Sequence, residues 1–387
     1  MSELSSAPVT SLYVHVPFCA QKCEYCAFYS EASSGALITR YIDALVHELE
    51  LVAHDLKPKT VFFGGGTPSI LNLRQWEKIL RTMERFNLLG ADEFTVECNP
   101  ATVSADKAKL FRDFGINRIS MGVQSLDETL LDRLGRVHSR AMVFKSFDIL
   151  RRAGFDNLNL DLMFAIPTQT LAIWRATLDE AMAMQSEHLS SYEVIYEDDT
   201  PLFEQLQAGE FSVDEKLADE MFAELIFHAT GGGFHQYEIA NFARGELDAE
   251  TIPARACRHN VNYWRGGSFY GLGPSATGYV RGVRTKNWAN TPLYCDQLEK
   301  GIRAIESSEE LPPLRRAGEI AAFGLRMNAG WPFDEFLRTT HFDLRNEWDS
   351  EMNQLAERGW ARRDADRFYL TAQGLRFADA AAEMFLR

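Results

Sequence analysis

Three cysteines within eight residues are the most specific chemical feature of the sequence. Cys19, Cys23 and Cys26 have the spacing C-x3-C-x2-C and follow the first predicted strand. Three thiolates on one tight loop can hold three irons of a [4Fe–4S] cubane and leave the fourth iron without a protein ligand. Because such an iron can bind a small molecule, the spacing predicts a cluster with one open coordination position.

A zinc site is the competing interpretation of these cysteines. Structural zinc sites are closed by four ligands, usually supplied as paired C-x2-C units. His15 would have to act as a fourth ligand, and both the spacing and the context favour the cluster. The remaining cysteines, Cys98, Cys257 and Cys295, are interpreted as core or incidental thiols.

The residues around the cysteines resemble a known family. Tyr25 stands directly before the third cysteine, and Tyr13-Val-His-Val-Pro-Phe-Cys19 leads into the loop. The first feature is similar to the signature of radical S-adenosylmethionine (SAM) proteins, and the second to the family of the oxygen-independent coproporphyrinogen III oxidase. The likeness runs from Tyr13 to the C-terminal domain. It implies a [4Fe–4S] cluster, SAM bound to its open iron, and an electron donor for the cluster.

A glycine-rich segment, Gly64-Gly65-Gly66-Thr67-Pro68, follows the second predicted strand. Glycines there let the backbone approach a ligand closely and expose its NH and CO groups. The resemblance implies that this segment holds the amino group of SAM. Taken singly, its members and the other candidates could be turn residues, strand ends or surface charges. The resemblance implies SAM contacts from Tyr13, Tyr25, Gly65, Gly66, Thr67, Glu97, Gln124, Arg136 and Asp161.

Two departures from the oxidase favour the heme-chaperone (HemW) subgroup of this family. The oxidase carries a further cysteine where this sequence has Phe28, and it has a substantial extension where only twelve residues precede Tyr13 here. Coproporphyrinogen oxidase activity is therefore not expected. The resemblance implies a chaperone that binds heme, the cluster and SAM and passes heme to acceptor apo-hemoproteins. The alternatives are the oxidase itself and a radical-SAM enzyme with another substrate.

A second motif supports the subgroup. His259-Asn-Val-Asn-Tyr263-Trp264 matches the H-N-x-x-Y-W pattern associated with heme binding in it, so His259, Tyr263 and Trp264 are the expected heme residues. His259 is the expected axial ligand, with Cys257 or Tyr263 as alternatives. A hydrogen-bonded structural histidine beside aromatic rings is the competing interpretation. The sequence contains no C-x-x-C-H, so covalent attachment of the c type is not indicated.

The stretch Thr251–Tyr294 around this motif contains no Asp or Glu, although the chain has 55 acidic residues. We expect its basic residues to pair with heme propionates and its aromatic residues to cover the macrocycle. The basic residues are Arg255, Arg258, Arg265, Arg281, Arg284 and Lys286. The aromatic residues are Tyr263, Trp264, Phe269, Tyr270, Tyr279 and Trp288.

Alternating strand and helix patterns must position these residues. The predicted strands are Ser11–Val16, Thr60–Phe63, Glu93–Glu97, Arg118–Met121, Asn157–Met163 and Ser190–Tyr196. The clearest predicted helices between them are Ile38–His54, Leu73–Phe86, Met142–Ala153 and Leu171–Met184. Six strand–helix units predict an α/β fold, a partial (β/α)6 TIM-like barrel with its site at the C-terminal ends of the strands.

The rest of the chain has a different pattern. Thr251–Tyr294 is rich in glycine and aromatics and shows no convincing helix, and helices are predicted at Leu314–Met327 and Leu344–Arg358. A β-like pair at Ala361–Leu370 and a last helix from Thr371 suggest a smaller, mainly helical, winged-helix-like domain. The predicted division is a radical-SAM core at 1–245, a linking segment at 246–300 and an accessory domain at 301–387.

Composition limits the other functions. The formal net charge of −15 argues against broad nucleic-acid binding, because phosphate backbones attract basic surfaces. No apolar run approaches the ~20 residues that span a bilayer, and the first ten residues lack the features of a signal peptide. We therefore expect a cytoplasmic protein whose heme acceptors could include membrane-bound ones.

Overall fold

The computed structural model describes residues 7–32 and 34–387. Residues 1–6, on which the signal-peptide prediction partly rests, lie outside the described residues. In chain order the strands are β1 (Val9–Val16), β2 (Phe18–Cys19), β3 (Glu31–Ala32), β4 (Leu56–Gly65), β5 (Glu93–Cys98), β6 (Arg118–Gln124), β7 (Leu158–Phe164), β8 (His188–Glu193), β9 (His235–Gln236), β10 (Asn241–Ala243), β11 (Tyr270–Leu272), β12 (Thr277–Val280), β13 (Val283–Asn287), β14 (Ile305–Glu310), β15 (Trp331–Pro332), β16 (Ala361–Arg363) and β17 (Arg367–Leu370).

The helices alternate with the strands through the first half of the chain. In chain order they are α1 (Gly35–Val52), α2 (Leu73–Arg85), α3 (Ala105–Asp113), α4 (Glu128–Arg133), α5 (Arg140–Arg152), α6 (Leu171–Ala183), α7 (Pro201–Gln207), α8 (Glu215–Gly231), α9 (Arg258–Trp264), α10 (Thr291–Glu299), α11 (Pro313–Gly324), α12 (Phe333–Thr340), α13 (Leu344–Glu347), α14 (Asp349–Glu357), α15 (Ala372–Leu375) and α16 (Ala378–Glu383).

The main sheet confirms the predicted α/β class. Its strand order is β11-β1-β4-β5-β6-β7-β8-β10-β9, and the six predicted strands run parallel in the middle of it. The sheet is larger than predicted, because β11 adds a parallel strand beside β1 and β10 adds an antiparallel one beside β8. Among the described residues no pairing joins the edge strands β11 and β9, so the barrel is open in its hydrogen bonding.

Strand β5 shows how the sequence builds the two faces of the sheet. Phe94 and Val96 are fully buried and belong to the large apolar core. The alternate residues Glu93, Thr95 and Glu97 point to the other face, because side chains alternate along a strand. The interior of the barrel is therefore lined by polar side chains, whereas the apolar face packs against the surrounding helices.

The stretch Thr251–Tyr294 differs from the prediction that it contains no helix. It contains the short helix α9 and the start of α10, and it contributes β11 to the main sheet. The N-terminus of α9 is capped by Glu93, whose carboxylate accepts hydrogen bonds from the Arg258 and His259 amides at 2.8 and 3.0 Å. Because the capping carboxylate comes from a distant strand, no local sequence pattern predicts the helix.

A buried carboxylate ties α1 to the same stretch. Glu48 has no exposed surface and accepts hydrogen bonds from the Gly273 amide at 2.9 Å, Asn287 Nδ2 at 2.9 Å and the Tyr294 hydroxyl at 2.7 Å. Arg303 Nε lies 3.7 Å from the same group. Residues that follow α9 are thereby held against the first helix of the barrel.

The C-terminal part has a core of its own. Trp331, Phe336, Trp348, Phe368 and Phe385 are fully buried in it. The predicted β pair is present as β16 and β17, and β15 completes a three-stranded antiparallel sheet. The predicted single helices become α13 with α14 and α15 with α16, and the winged-helix likeness and the three domain boundaries stay predictions.

Over residues 7–32 and 34–387, no helix is both long enough and apolar enough to cross a membrane.

Candidate cofactor site

A cavity of about 470 Å³ opens at the C-terminal ends of the central parallel strands. This is the edge where parallel α/β folds place their ligands. The cavity brings together all three predicted cluster ligands and eight of the nine predicted SAM residues. These are Cys19, Cys23, Cys26, Tyr25, Gly65, Gly66, Thr67, Glu97, Gln124, Arg136 and Asp161.

The cysteine loop is fixed to the barrel by its backbone. The Glu24 amide donates to the Leu134 carbonyl at 3.1 Å, and the Glu24 carbonyl accepts from the Leu202 amide at 2.9 Å. Cys19 Sγ lies 3.6 Å from Thr67 Oγ1, and Arg136 Nη1 donates to Cys23 Sγ at 3.4 Å. The thiols therefore already have polar partners of the kind that support sulfur ligands of a metal cluster.

The three sulfurs influence one another. Burial raises the pKa of the Cys26 thiol, and the nearby Cys23 and Cys19 sulfurs raise it further. Three thiolates in one place repel each other, so a positively charged iron cluster that binds all three would relieve this repulsion. The donor set thus fits a cluster ligated by three cysteines.

The glycine segment pairs with the strand that leads to the cysteines. The Gly66 amide donates to the Val16 carbonyl and the Thr67 amide to the Phe18 carbonyl, both at 2.8 Å. Gly65 has a φ of 108°, and a Cβ at Gly66 would lie 2.8 Å from the Phe18 oxygen. Side chains at these two positions would push the segment away from the cysteine loop, which explains the glycines.

Two carboxylates in the cavity have little compensating charge. Burial raises the pKa of Glu97 to about 8, and the charge of Asp161 adds to the effect. Burial also raises the pKa of Asp161, although Asn159 and Ser120 donate to it at 2.7 and 3.1 Å. A bound cation would stabilise both ionised groups, and SAM carries an ammonium and a sulfonium charge. The carboxylates therefore fit SAM.

Arg136 lies beside these groups with an unused donor. Its Nη2 donates to the Gly122 carbonyl at 2.7 Å, whereas its buried Nε has no hydrogen-bond partner in the described part of the chain. Gln124, at the end of β6, has a φ of 65° next to an irregularity in the β6–β7 register. This irregularity turns the Gln124 amide toward Gly122, where a Cβ would lie 3.2 Å from Gln124 Nε2.

Tyr13 and His15 lie outside the lining of the cavity. Tyr13 does not line the cavity, because its ring lies behind the wall next to Phe62, and its hydroxyl is 3.1 Å from His15 Nδ1. His15, the alternative zinc ligand, has its Nε2 2.9 Å from the Tyr29 carbonyl. Its ring lies against Gly65, where a Cβ would approach to 2.6 Å. Both ring nitrogens of His15 are thus engaged away from the cysteines.

The predicted heme residues are brought together, but inside the barrel. His259 is only 1% exposed, with Nδ1 3.0 Å from Thr60 Oγ1 and Nε2 2.7 Å from the Tyr263 hydroxyl. Burial raises the pKa of the alternative ligand Cys257 to about 12, so its sulfur stays a thiol. Trp264 stacks on Phe323 of α11. Both ring nitrogens of His259 are thus occupied by protein hydroxyls and offer no free ligand to an iron in this structure, and the motif lies on helix α9.

Most basic residues of the stretch Thr251–Tyr294 are paired with carboxylates of the protein itself. Five of the six expected propionate partners form ion pairs with carboxylates from other segments. The pairs are Arg255 with Asp156, Arg258 with Asp248, Arg265 with Glu250 and Glu335, Arg281 with Asp55, and Arg284 with Glu309 and Glu319. The stretch lacks acids because its partners come from elsewhere in the fold.

Exposed apolar side chains line the mouth of the cavity, and only one of them was singled out from the sequence. Phe28 was noted for the missing cysteine, whereas Val137, Tyr192 and Ile195 were not predicted to belong to the site. Tyr192 and Ile195 lie within the predicted strand Ser190–Tyr196, at the C-terminal end of the observed strand β8 and just beyond it. That position was the signal that could have found them.

Comparisons with known proteins agree with this geometry. A family model described as the Radical SAM superfamily matches residues 13–181. The solved structure of coproporphyrinogen III oxidase (HemN) from Escherichia coli superposes with a TM-score of 0.85 at 22% sequence identity, over 99% of this chain and 91% of that chain. The protein is thus an α/β protein with a radical SAM domain and a HemN-like fold.

Relatives whose sequences match nearly the whole chain identify its family more closely. The heme chaperone HemW of Bacillus subtilis is 34% identical over 94% of this chain and 96% of its own length. The heme chaperone HemW of Escherichia coli is 32% identical over 98% of both chains. The chain therefore belongs to the HemW family of radical SAM proteins.

Proposed function

We propose that this protein is a heme chaperone that binds one [4Fe–4S] cluster, SAM and heme, and that it transfers heme to apo-hemoproteins. The observation that carries the proposal is the convergence of three thiols and two poorly compensated carboxylates in one cavity. Support for heme as the cargo comes from the family, because its relatives of similar length are named heme chaperones.

The chain's own residues would prepare the cavity for both cofactors. Cys19, Cys23 and Cys26 would hold three irons, and Thr67 and Arg136 would stabilise charge on the sulfurs. Glu97 and Asp161 would attract the cationic groups of SAM, and the bare backbone at Gly65 and Gly66 would let its polar groups come close. When bound, the cluster supplies one-electron transfer and an iron at which SAM can bind.

Phe28, at the mouth of the cavity, argues against the alternative activity, which is the oxidation of coproporphyrinogen. A coproporphyrinogen oxidase of this fold is expected to carry a cysteine where Phe28 stands, and Phe28 is largely exposed. A phenyl ring can neither ligate iron nor transfer a proton. The proposal is therefore a protein that carries a porphyrin without decarboxylating one.

The proposal is tested with protein reconstituted without oxygen. We expect about four irons and four sulfides per chain, SAM binding, a Soret band on hemin addition, and hemin transfer to apomyoglobin as acceptor. Cys23→Ala should lose the cluster and SAM binding, whereas Cys295→Ala, a buried thiol of α10, should keep both. Formation of protoporphyrinogen from coproporphyrinogen with SAM and a reductant would overturn the chaperone assignment, as would a failure to bind hemin.

A further inference from the structure

We propose that His259 is a positioning residue of the SAM cavity, acting through an aromatic layer that lies between helix α9 and the cavity wall. The aromatic layer consists of Tyr13, His15 and Phe62. This inference rests on the proposed binding of SAM in the cavity, and it gives the H-N-x-x-Y-W motif a task that does not require heme.

The first contact runs from α9 to the aromatic layer. The His259 ring stacks on Phe62 with centroids 5.3 Å apart and an interplanar angle of 26°. Tyr13 faces the same imidazole at 6.5 Å, and Tyr13 and Phe62 lie 6.2 Å apart. His259 therefore packs against two rings at once, on the side that faces away from the cavity.

The second contact runs from the aromatic layer to the residues that line the cavity. A Cβ at Gly64 would lie 2.9 Å from Phe62 Cε1 and 3.1 Å from the Glu97 carboxyl carbon, so Phe62 and Glu97 border the same point. Glu97 in turn accepts from the Gly65 amide at 3.2 Å. His15 fills the space under Gly65 and is held by the Tyr13 hydroxyl. Movement of either ring would change the position of Glu97 or of the glycine backbone.

Hydrogen bonds hold His259 in a single orientation. Thr60 Oγ1 lies 3.0 Å from Nδ1 and 2.8 Å from Ser11 Oγ, while the Tyr263 hydroxyl lies 2.7 Å from Nε2. Glu93 fixes the backbone of the same residue at the start of α9. Burial lowers the pKa of His259 to about 3, so the ring is neutral and one nitrogen donates while the other accepts. An imidazole can satisfy two hydroxyls on opposite sides and still stack, which an apolar ring cannot do.

This arrangement sets His259 apart from a residue that only fills space. The aromatic layer on which His259 packs borders the two groups, Glu97 and the Gly65 backbone, that would touch the cofactor. Outer-shell partners of metal ligands typically change metal affinity or activity by about 10- to 100-fold when they are removed, and because His259 lies one layer further out we expect an effect at the lower end of that range. A histidine whose role is only structural would change stability but not the response of the cluster to SAM.

The test uses the full chain with its cluster reconstituted, and it measures SAM affinity together with the electron paramagnetic resonance of the reduced cluster. In His259→Ala we expect about tenfold weaker SAM binding and a smaller spectral change on SAM addition. His259→Phe keeps a ring against Phe62 but leaves the Thr60 and Tyr263 hydroxyls without their partner, so it should recover only part of that affinity. His228→Ala, a partly buried histidine on α8, is the matched control and should behave as the unsubstituted protein.

Two results would overturn the proposal. One is unchanged SAM affinity and an unchanged spectrum in His259→Ala, including the case in which that variant loses only hemin binding. The other applies if His259→Ala does not fold. Phe62→Leu then perturbs the layer without substituting a residue of α9, and an unchanged SAM affinity in that variant would reject the coupling. If the unsubstituted protein binds no SAM at all, the proposed function fails instead.

Discussion

At the scale of single residues, the cavity is defined by charges that the fold leaves unbalanced. The charge of Asp161 adds to the effect of burial in raising the pKa of Glu97, and burial raises the pKa of Asp161. Arg118 opposes this from the base of the barrel, yet among the described residues it forms no ion pair with either carboxylate. A cation bound beside Glu97 and Asp161 would therefore stabilise the ionised forms of both carboxylates.

The pH dependence of SAM binding should reveal Glu97. Because its pKa in the free protein is raised to about 8, Glu97 is mostly protonated at pH 6 and gains its charge as the pH rises. A cation binds the ionised form better, so SAM affinity should rise several-fold between pH 6 and 7.5. Equilibrium binding across this range should give a shallower slope for Glu97→Gln. Parallel profiles for the two proteins would contradict the assignment.

The sequence predicted the identity of the site residues better than their orientation. The cysteine spacing and the glycine segment predicted groups that do line the cavity, because both motifs act through local backbone geometry. Tyr13, predicted to contact SAM, is outside the cavity lining, and His259, predicted to ligate heme, is buried with both ring nitrogens within hydrogen-bond distance of hydroxyls, so both roles stay predictions. Which face of a strand meets the cavity, and which carboxylate caps α9, depend on residues far away in the chain.

At the scale of elements, the amphipathic helix α1 carries one buried carboxylate on its apolar face. Glu48 lies on the buried face of this helix among apolar residues. Burial raises its pKa, and Arg303 and three hydrogen-bond donors counter that shift. A sequence pattern predicts an apolar residue at such a position, and only the tertiary structure shows why a carboxylate stands there.

Removing the Glu48 carboxylate should destabilise the protein strongly. Glu48→Ala leaves the Gly273 amide, the Asn287 amide and the Tyr294 hydroxyl without their acceptor, so we expect a loss of at least about 3 kcal/mol in the free energy of unfolding. Glu50→Ala, two positions on, removes only an exposed pair with Arg85 and should cost less than about 1 kcal/mol. Urea unfolding of both variants measures the difference, and equal losses would refute this role of Glu48.

At the scale of the whole molecule, Arg265 joins the barrel to the C-terminal part. It follows α9 directly, donates to the Gly330 carbonyl at 2.6 Å and lies over the Trp331 ring at 4.9 Å. Glu250 and Glu335 flank the same guanidinium from the two sides of the junction. One side chain thus connects the helix of the H-N-x-x-Y-W motif to the smaller core.

Removal of this connection should loosen the C-terminal part first. In Arg265→Ala we expect about 2 kcal/mol less protection for β15 and α12, because hydrogen bonds to charged groups contribute about that much. Hydrogen exchange read by mass spectrometry would measure it, with Arg255→Ala, an exposed pair with Asp156, as the control. Equal protection in Arg265→Ala and the parent protein would show that the junction does not depend on this residue.

The sequence predicted the repeated order of strands and helices, because each strand–helix unit has its own local hydrophobic pattern. Strand β11 and helix α9 were missed, because each is short and is stabilised by a distant partner. Strand β11 exists through its pairing with β1, and α9 begins at the carboxylate of Glu93, 165 positions away. Long-range pairing of this kind leaves no periodic signal in a single sequence.

Contacts between residues far apart in the chain can form only after the later residue has been translated. The Tyr29 hydroxyl, which follows the cysteine loop, lies 3.2 Å from Thr291 Oγ1, and these residues are 262 positions apart. At ~5 to 20 residues per second a ribosome needs roughly 13 to 52 seconds to make the intervening chain. During that interval the cysteine loop and its Leu134 and Leu202 backbone partners have been translated, but the Thr291 partner of Tyr29 has not. A nascent chain stalled before residue 291 should therefore lack this last contact and leave its cysteines more accessible to oxidants than the full chain does.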